Sequence, residues 1–124
     1  MRVLLSIKPE YAERIFEGTK RFEFRKAAFK DTAVKTVVVY ATLPVGKVIG
    51  EFSIDEIIQA SPAELWEKTK KYSGISKELF HSYFDGRRSA TAIGVRQAKL
   101  YRRPLPISSV SPSGVAPQSF CYLE

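Results

Sequence analysis

The run Thr36-Val37-Val38-Val39-Tyr40-Ala41-Thr42 constrains the fold more than any other stretch, because five of its seven residues are β-branched. Such side chains are stiff at χ1 and pack best on a pleated surface, so the run reads as a central strand. Other short segments fall around it. Residues 3–7 read as a buried strand, and Phe22-Glu23-Phe24-Arg25 alternates with period two, its phenylalanines on one side and Glu23 and Arg25 on the other. Pro44 and Gly46 mark a turn into a strand over residues 47–58. Residues 89–101 form a long strand with Gly94 a candidate bulge or close approach, and residues 120–123 a short closing one.

Helical excursions interrupt the strands. Pro9 suits a first helical turn, Tyr11, Ala12, Ile15 and Phe16 recur at helical spacing, and Gly18 supplies the stop. Ser61-Pro62-Ala63-Glu64 has the form of a capping box opening a helix through about Lys71. After residues 73–76, a second helical piece clusters Leu79, Phe80, Tyr83 and Phe84 on one face and ends at Asp85-Gly86. The Pro/Ser-rich residues 104–117 read as irregular. No repeat and no long linker appears, so residues 1–124 are expected to form one domain, and the pattern suits a small closed barrel without exposed sheet edges.

Composition narrows the chemistry. Fifteen aromatic residues supply bulk for a core without disulfides or a structural metal. Cys121 is the single cysteine and His81 the single histidine, so neither a disulfide nor a zinc site is expected, and no cofactor is implied. No apolar run reaches the roughly 20 residues of a membrane helix, and Lys8, Pro9 and Glu10 cut short the apolar N-terminus. No membrane partner is therefore expected, and the cytoplasm is the default compartment. The net charge of +7 is unevenly spread: residues 1–50 carry ten Lys/Arg against five acids and residues 86–124 six against one, while residues 51–85 are net acidic. If the two basic ends meet in space, their fields add into a surface that draws polyanions.

Three segments together resemble the ASCH family, whose members share the barrel of the PUA domain. The first is Ser6-Ile7-Lys8-Pro9 followed by Gly18, Lys20, Glu23 and Arg25, similar to the family's G-x-K-x-x-E-x-R signature. The second runs from Tyr40-Ala41-Thr42 through Gly46 to Ile49-Gly50-Glu51-Phe52. The third is Pro117-Gln118-Ser119-Phe120-Cys121-Tyr122, close to a family "PQSF/W-x-Y" ending. The resemblance implies an α+β fold, a PUA-like β-barrel of about five to seven strands with two or three flanking helices.

The residues make physical sense beside it. Lys20 sits on a turn where its stem can lie over apolar surface, and burial would lower its pKa. Glu23 and Arg25 share a strand face, so a cation, a carboxylate and a guanidinium converge. Arg25 could grip a phosphate with two bonds, and Glu23 could accept from a base amino group. Lys8 precedes the Pro9 helix, where free N–H groups favour an anion. Tyr40 could stack on a base, and Gln118 and Ser119 could offer polar contacts. His81 and Ser82, neighbours on a helix, point about 100° apart and form no nucleophile–base pair.

Two functions follow. One is a module that binds RNA or a nucleotide, with DNA among the polyanions the charge would also draw; the resemblance implies RNA-binding coactivators or transcriptional regulators. The other is a metal-independent hydrolase using Lys20 and Glu23, since some ASCH proteins remove acetyl from N4-acetylcytidine and others are ribonucleases. The amidohydrolase pattern places a threonine where Glu23 stands, and its further acid has only loose counterparts, Glu64 or Glu67.

Overall fold

The computed structural model describes residues 1–27 and 29–123. Among them six strands and three helices occur in the order β1 (Arg2–Ile7), α1 (Pro9–Glu17), β2 (Phe22–Arg25), β3 (Thr36–Ala41), β4 (Lys47–Ala60), α2 (Pro62–Thr69), α3 (Lys77–Tyr83), β5 (Ala90–Leu105) and β6 (Phe120–Tyr122). The strands form one sheet in the order β2-β5-β4-β3-β1-β6, curled into a half-barrel. The fold is α+β, with the expected numbers of strands and helices. Its backbone ladder is not closed, because β2 and β6 remain as the two edges.

The β-branched run is β3, and it lies inside the sheet between β1 and β4. Both of its faces are covered. Val37, Val39 and Ala41 enter a core with Val3, Leu5, Ile7, Ile15 and Phe52, while Val38 and Tyr40 enter another with Leu4 and Val48. That second layer is roofed by Ile107, Val110, Ala116, Cys121 and Leu123. The Pro/Ser-rich tail, expected as plain loop, is thus a lid on the sheet's outer face, with a short 3-10 turn at Ile107–Ser109. A third core gathers Phe24, Leu65, Phe80, Phe84, Ala90 and Ala92 under α2 and α3.

Local signals set the element ends. Gly18 adopts φ 91° and stops α1, its N–H reaching back to the Arg14 and Ile15 carbonyls. The Ser61 side chain accepts the Glu64 N–H, as expected of the cap of α2, and its hydroxyl donates to the Glu64 carboxylate. α2 stops at Thr69 and a 3-10 turn, Lys70–Tyr72, completes the stretch expected as helix. Gly94 lies where β4 departs from regular pairing between Ile54 and Ile57; a Cβ there would sit 3.1 Å from the Glu56 carbonyl oxygen.

β1 and β3 run parallel, so the chain must cross over between them, and α1 and β2 are carried by that crossover. β2 then pairs with the start of β5, and β6 with β1. These pairings bring the two basic ends of the chain together.

α1 is seated against β4 by a glycine. A Cβ on Gly50 would come within 2.5 Å of the Lys99 carbonyl oxygen and 2.7 Å of Phe16 Cζ. Neither a backbone carbonyl nor a packed ring yields easily, so Gly50→Ala should destabilise the protein by about 1–3 kcal/mol, as overpacking does. Urea unfolding checks this, and an unchanged midpoint would refute the close approach of Phe16.

Candidate functional site

At the open seam of the sheet lies a cavity of about 250 Å³ lined by Ser6, Ile7, Lys8, Tyr11, Lys20, Glu23, Phe24, Arg25, Ile75, Leu79 and Tyr83. The end of β1 and the start of α1 form one wall, β2 the floor, and the 73–75 turn with α3 the other wall.

Lys20 is the innermost charge, only 2% exposed. Its Nζ donates to the Ser73 carbonyl at 2.8 Å, stands 4.0 Å from Glu23 Oε1, and lies 4.7 Å from the centre of the Phe24 ring. The turn from residue 73 holds it there. Gly74, at φ 68°, rests so closely on the Lys20 stem that a Cβ would fall inside the lysine side chain, and Arg14 Nη1 ties the Gly74 carbonyl at 2.7 Å. Ser73 Oγ accepts the Ile75 N–H and donates to the Ile75 carbonyl, folding the turn over the amine.

Burial dominates the electrostatics of this amine. Removing an ammonium from water lowers its pKa, Glu23 opposes the change, and Arg14 and Arg25 reinforce it; the result is a pKa of about 8 instead of 10.5. At neutral pH a minor fraction of Lys20 is therefore an uncharged amine.

Glu23 and Arg25 do share a face, and their contact is direct, Arg25 Nη2 to Glu23 Oε2 at 2.9 Å. The same Nη2 donates to the Ser6 carbonyl at 2.8 Å, and Nη1 donates to Ser119 Oγ at 3.1 Å. Ser119 in turn accepts the Ser6 N–H on its carbonyl, and Ser6 Oγ donates to Pro117. Arg25 thus spans from edge strand β2 over β1 to the residue preceding β6. The phosphate grip expected of it would compete with these bonds, since both terminal nitrogens already have partners within the protein. Glu23 keeps Oε1 facing Lys20 and the cavity.

The remaining expectations divide. Lys8 lies at the rim, exposed, as the N-cap of α1. Ser119 reaches the site through Arg25, whereas the neighbouring Gln118 is exposed and does not line the cavity. Tyr40 is not brought to it either: the ring is 9% exposed and packs under the C-terminal lid. Glu64 serves the cap of α2, and Glu67 pairs with Lys70 on the surface. The aromatic rings that do line the cavity are Phe24, Tyr11 and Tyr83. Tyr83 stands one helical turn from Leu79, and both are partly exposed while Phe80 and Phe84 are buried. No group of three or more His, Cys, Asp or Glu suited to a metal occurs among the described residues, and no helix is long and apolar enough to cross a membrane.

A half-barrel with a buried lysine–carboxylate pair at its seam defines the class, and sequence comparison places it. The model of the ASCH domain matches residues 5–101, and the chain belongs to that family. It is similar to a protein named ASCH domain-containing ribonuclease from Zymomonas mobilis, 29% identical over 124 residues, covering 98% of this chain and 83% of that protein. The crystal structure of ASCH from Zymomonas mobilis superposes with a TM-score of 0.90 at 28% identity, over 99% of this chain and 87% of that one. The large ribosomal subunit protein uL22 of Ureaplasma parvum is 29% identical over 122 residues, but the chain spans only 39% of that protein's length.

The lowered Lys20 pKa has a thermodynamic counterpart. Between about pH 8 and 10.5 the unfolded lysine holds a proton that the folded one has released, so this group adds stability as pH rises through that window. The full shift corresponds to about 3 kcal/mol. Stability of the native protein relative to Lys20→Met should therefore improve from pH 7 to pH 10 in urea titrations. A flat difference would mean that Lys20 is not buried as described.

Proposed function

We propose that this protein binds RNA by taking one unpaired base, natural or modified, into the Lys20–Glu23 cavity. The supporting observation is the pairing of a buried donor with a facing acceptor inside an aromatic-walled pocket of single-base scale. A volume of about 250 Å³ lies below the roughly 300–1,000 Å³ typical of drug-sized ligands. It suits one splayed-out base, the form in which RNA sequence is usually read. Lys20 would donate to a ring nitrogen or carbonyl, Glu23 Oε1 would accept from an amino group, and Tyr83 with Tyr11 would supply stacking surface. Lys8 at the rim would meet the attached phosphate.

Fluorescence anisotropy of short RNAs, with and without modified cytidines, tests this. Tyr83→Ala should cost about 1–3 kcal/mol of binding, the usual contribution of one stacked base. Lys20→Ala should weaken binding further at every salt concentration. If neither variant differs from the native protein, the base is not in this cavity.

A second reading, hydrolysis in the same cavity, is favoured by the amine poised near pH 8 and by the relative named as a ribonuclease. An uncharged Lys20 would take a proton from the attacking hydroxyl or water, with Glu23 holding the resulting ammonium. Because the neutral amine is the active form, turnover should rise with pH and level off above about 8. Lys20→Met should abolish it. Labelled RNA on denaturing gels and N4-acetylcytidine followed by chromatography provide the readouts, and absence of product from both would eliminate the hydrolytic reading while leaving the binding one.

A further inference from the structure

The cavity is flanked at both ends of β2 by cations that are seated on aromatic rings. Before the strand, the Arg21 guanidinium lies 4.1 Å over the Tyr72 ring centre, with Lys71 Nζ 5.5 Å from the same ring. Beside them Arg14 stands 5.6 Å from the ring of Tyr11, which lines the cavity. Beyond the strand, Lys26 Nζ lies 4.9 Å over Tyr83, also a cavity wall, and Arg87 Nη2 donates to the Lys26 carbonyl at 2.9 Å. Arg14, Arg21, Lys26, Lys71 and Arg87 are all exposed, and none takes part in an ion pair among the described residues.

These cations are held in place by rings and carbonyls, not by carboxylates, so they can accept an anion without surrendering an existing partner. Of the α1 acids, Glu13 and Glu17 line a separate groove with Phe16 and Leu100. Arg21 and Lys26 stand at the two ends of β2, about 16 Å apart along the backbone at roughly 3.3 Å per residue. A chain of nucleotides reaching from one cluster to the other would follow β2, whose Glu23, Phe24 and Arg25 line the cavity.

We infer that the two clusters hold the backbone of a single-stranded RNA on both sides of the cavity, so that the base taken in belongs to an internal nucleotide, not to a free nucleoside or a strand end. The inference rests on the reading of the cavity as a base pocket.

The test uses anisotropy with unstructured RNAs of one to nine nucleotides, titrated with salt. Affinity should climb with length until both flanks are engaged and then level off. Two double variants, Arg21→Ala/Lys71→Ala and Lys26→Ala/Arg87→Ala, each remove about two phosphate contacts. Each should reduce the affinity lost between 50 and 200 mM salt by about sevenfold, given a slope of roughly −0.7 per contact for single strands. Circular dichroism verifies that both variants fold, and mononucleotide binding should be untouched by Arg21→Ala/Lys71→Ala. If only one double variant changes the salt dependence, a strand end is bound and the inference is overturned. If neither does while Tyr83→Ala still weakens binding, the base pocket stands and the track falls. If Tyr83→Ala has no effect either, the base pocket itself is wrong.

Discussion

The ion pair between Glu23 and Arg25 is the constraint on which the molecule turns. The sheet does not close by backbone bonding, since β2 and β6 are its edges. Arg25 joins them instead, reaching from β2 to the Ser6 carbonyl and to Ser119 Oγ. A guanidinium suits this task because its planar fork can serve several acceptors at fixed angles. Its charge is only 13% exposed and would be costly there without Glu23 at 2.9 Å. The same carboxylate faces Lys20, so the bond that holds the seam also sets the field around the buried amine.

That arrangement explains how a lysine can be buried without losing all its charge character. The Ser73 carbonyl and Glu23 favour the ammonium, while desolvation and two nearby guanidinium groups oppose it. The balance falls near pH 8 because desolvation outweighs the attraction of Glu23. Such balance needs a rigid surround, which the turn at Ser73 and Gly74 supplies by packing on the aliphatic stem.

Much of the fold was legible in residue patterns. The β-branched run became the doubly covered β3, the capping box opened α2, and Gly94 met a bulge. The convergence of Lys20, Glu23 and Arg25 was legible too, because it depends on spacing within one short segment. What escaped depends on distant partners. Arg25 is committed to a serine 94 residues away, and Lys20 is covered by a turn 53 residues away. No local period encodes either contact. Tyr40 looked available at a strand end because the lid that buries it comes from residues 107–123. Tyr83 was grouped with Phe80 and Phe84 as one apolar cluster, yet rotation about the helix turns it from the core toward the cavity.

β5 raises a separate matter. β2 pairs only with Thr91 to Gly94, and the Val95 N–H reaches the Arg21 carbonyl. From Arg96 onward, that side of a 16-residue strand pairs with no other strand among the described residues. A long free edge is a template on which another chain could extend the sheet. Here it carries Arg96, Lys99, Arg102 and Arg103, is kinked at Gln97 with φ 53°, and has Pro104, which offers no N–H, next to its last residue. Two copies meeting along this edge would set like charges against each other on a backbone bent out of register. Part of the basic character that suggests nucleic acid thus also guards against aggregation, and salt, by screening it, would relax that guard.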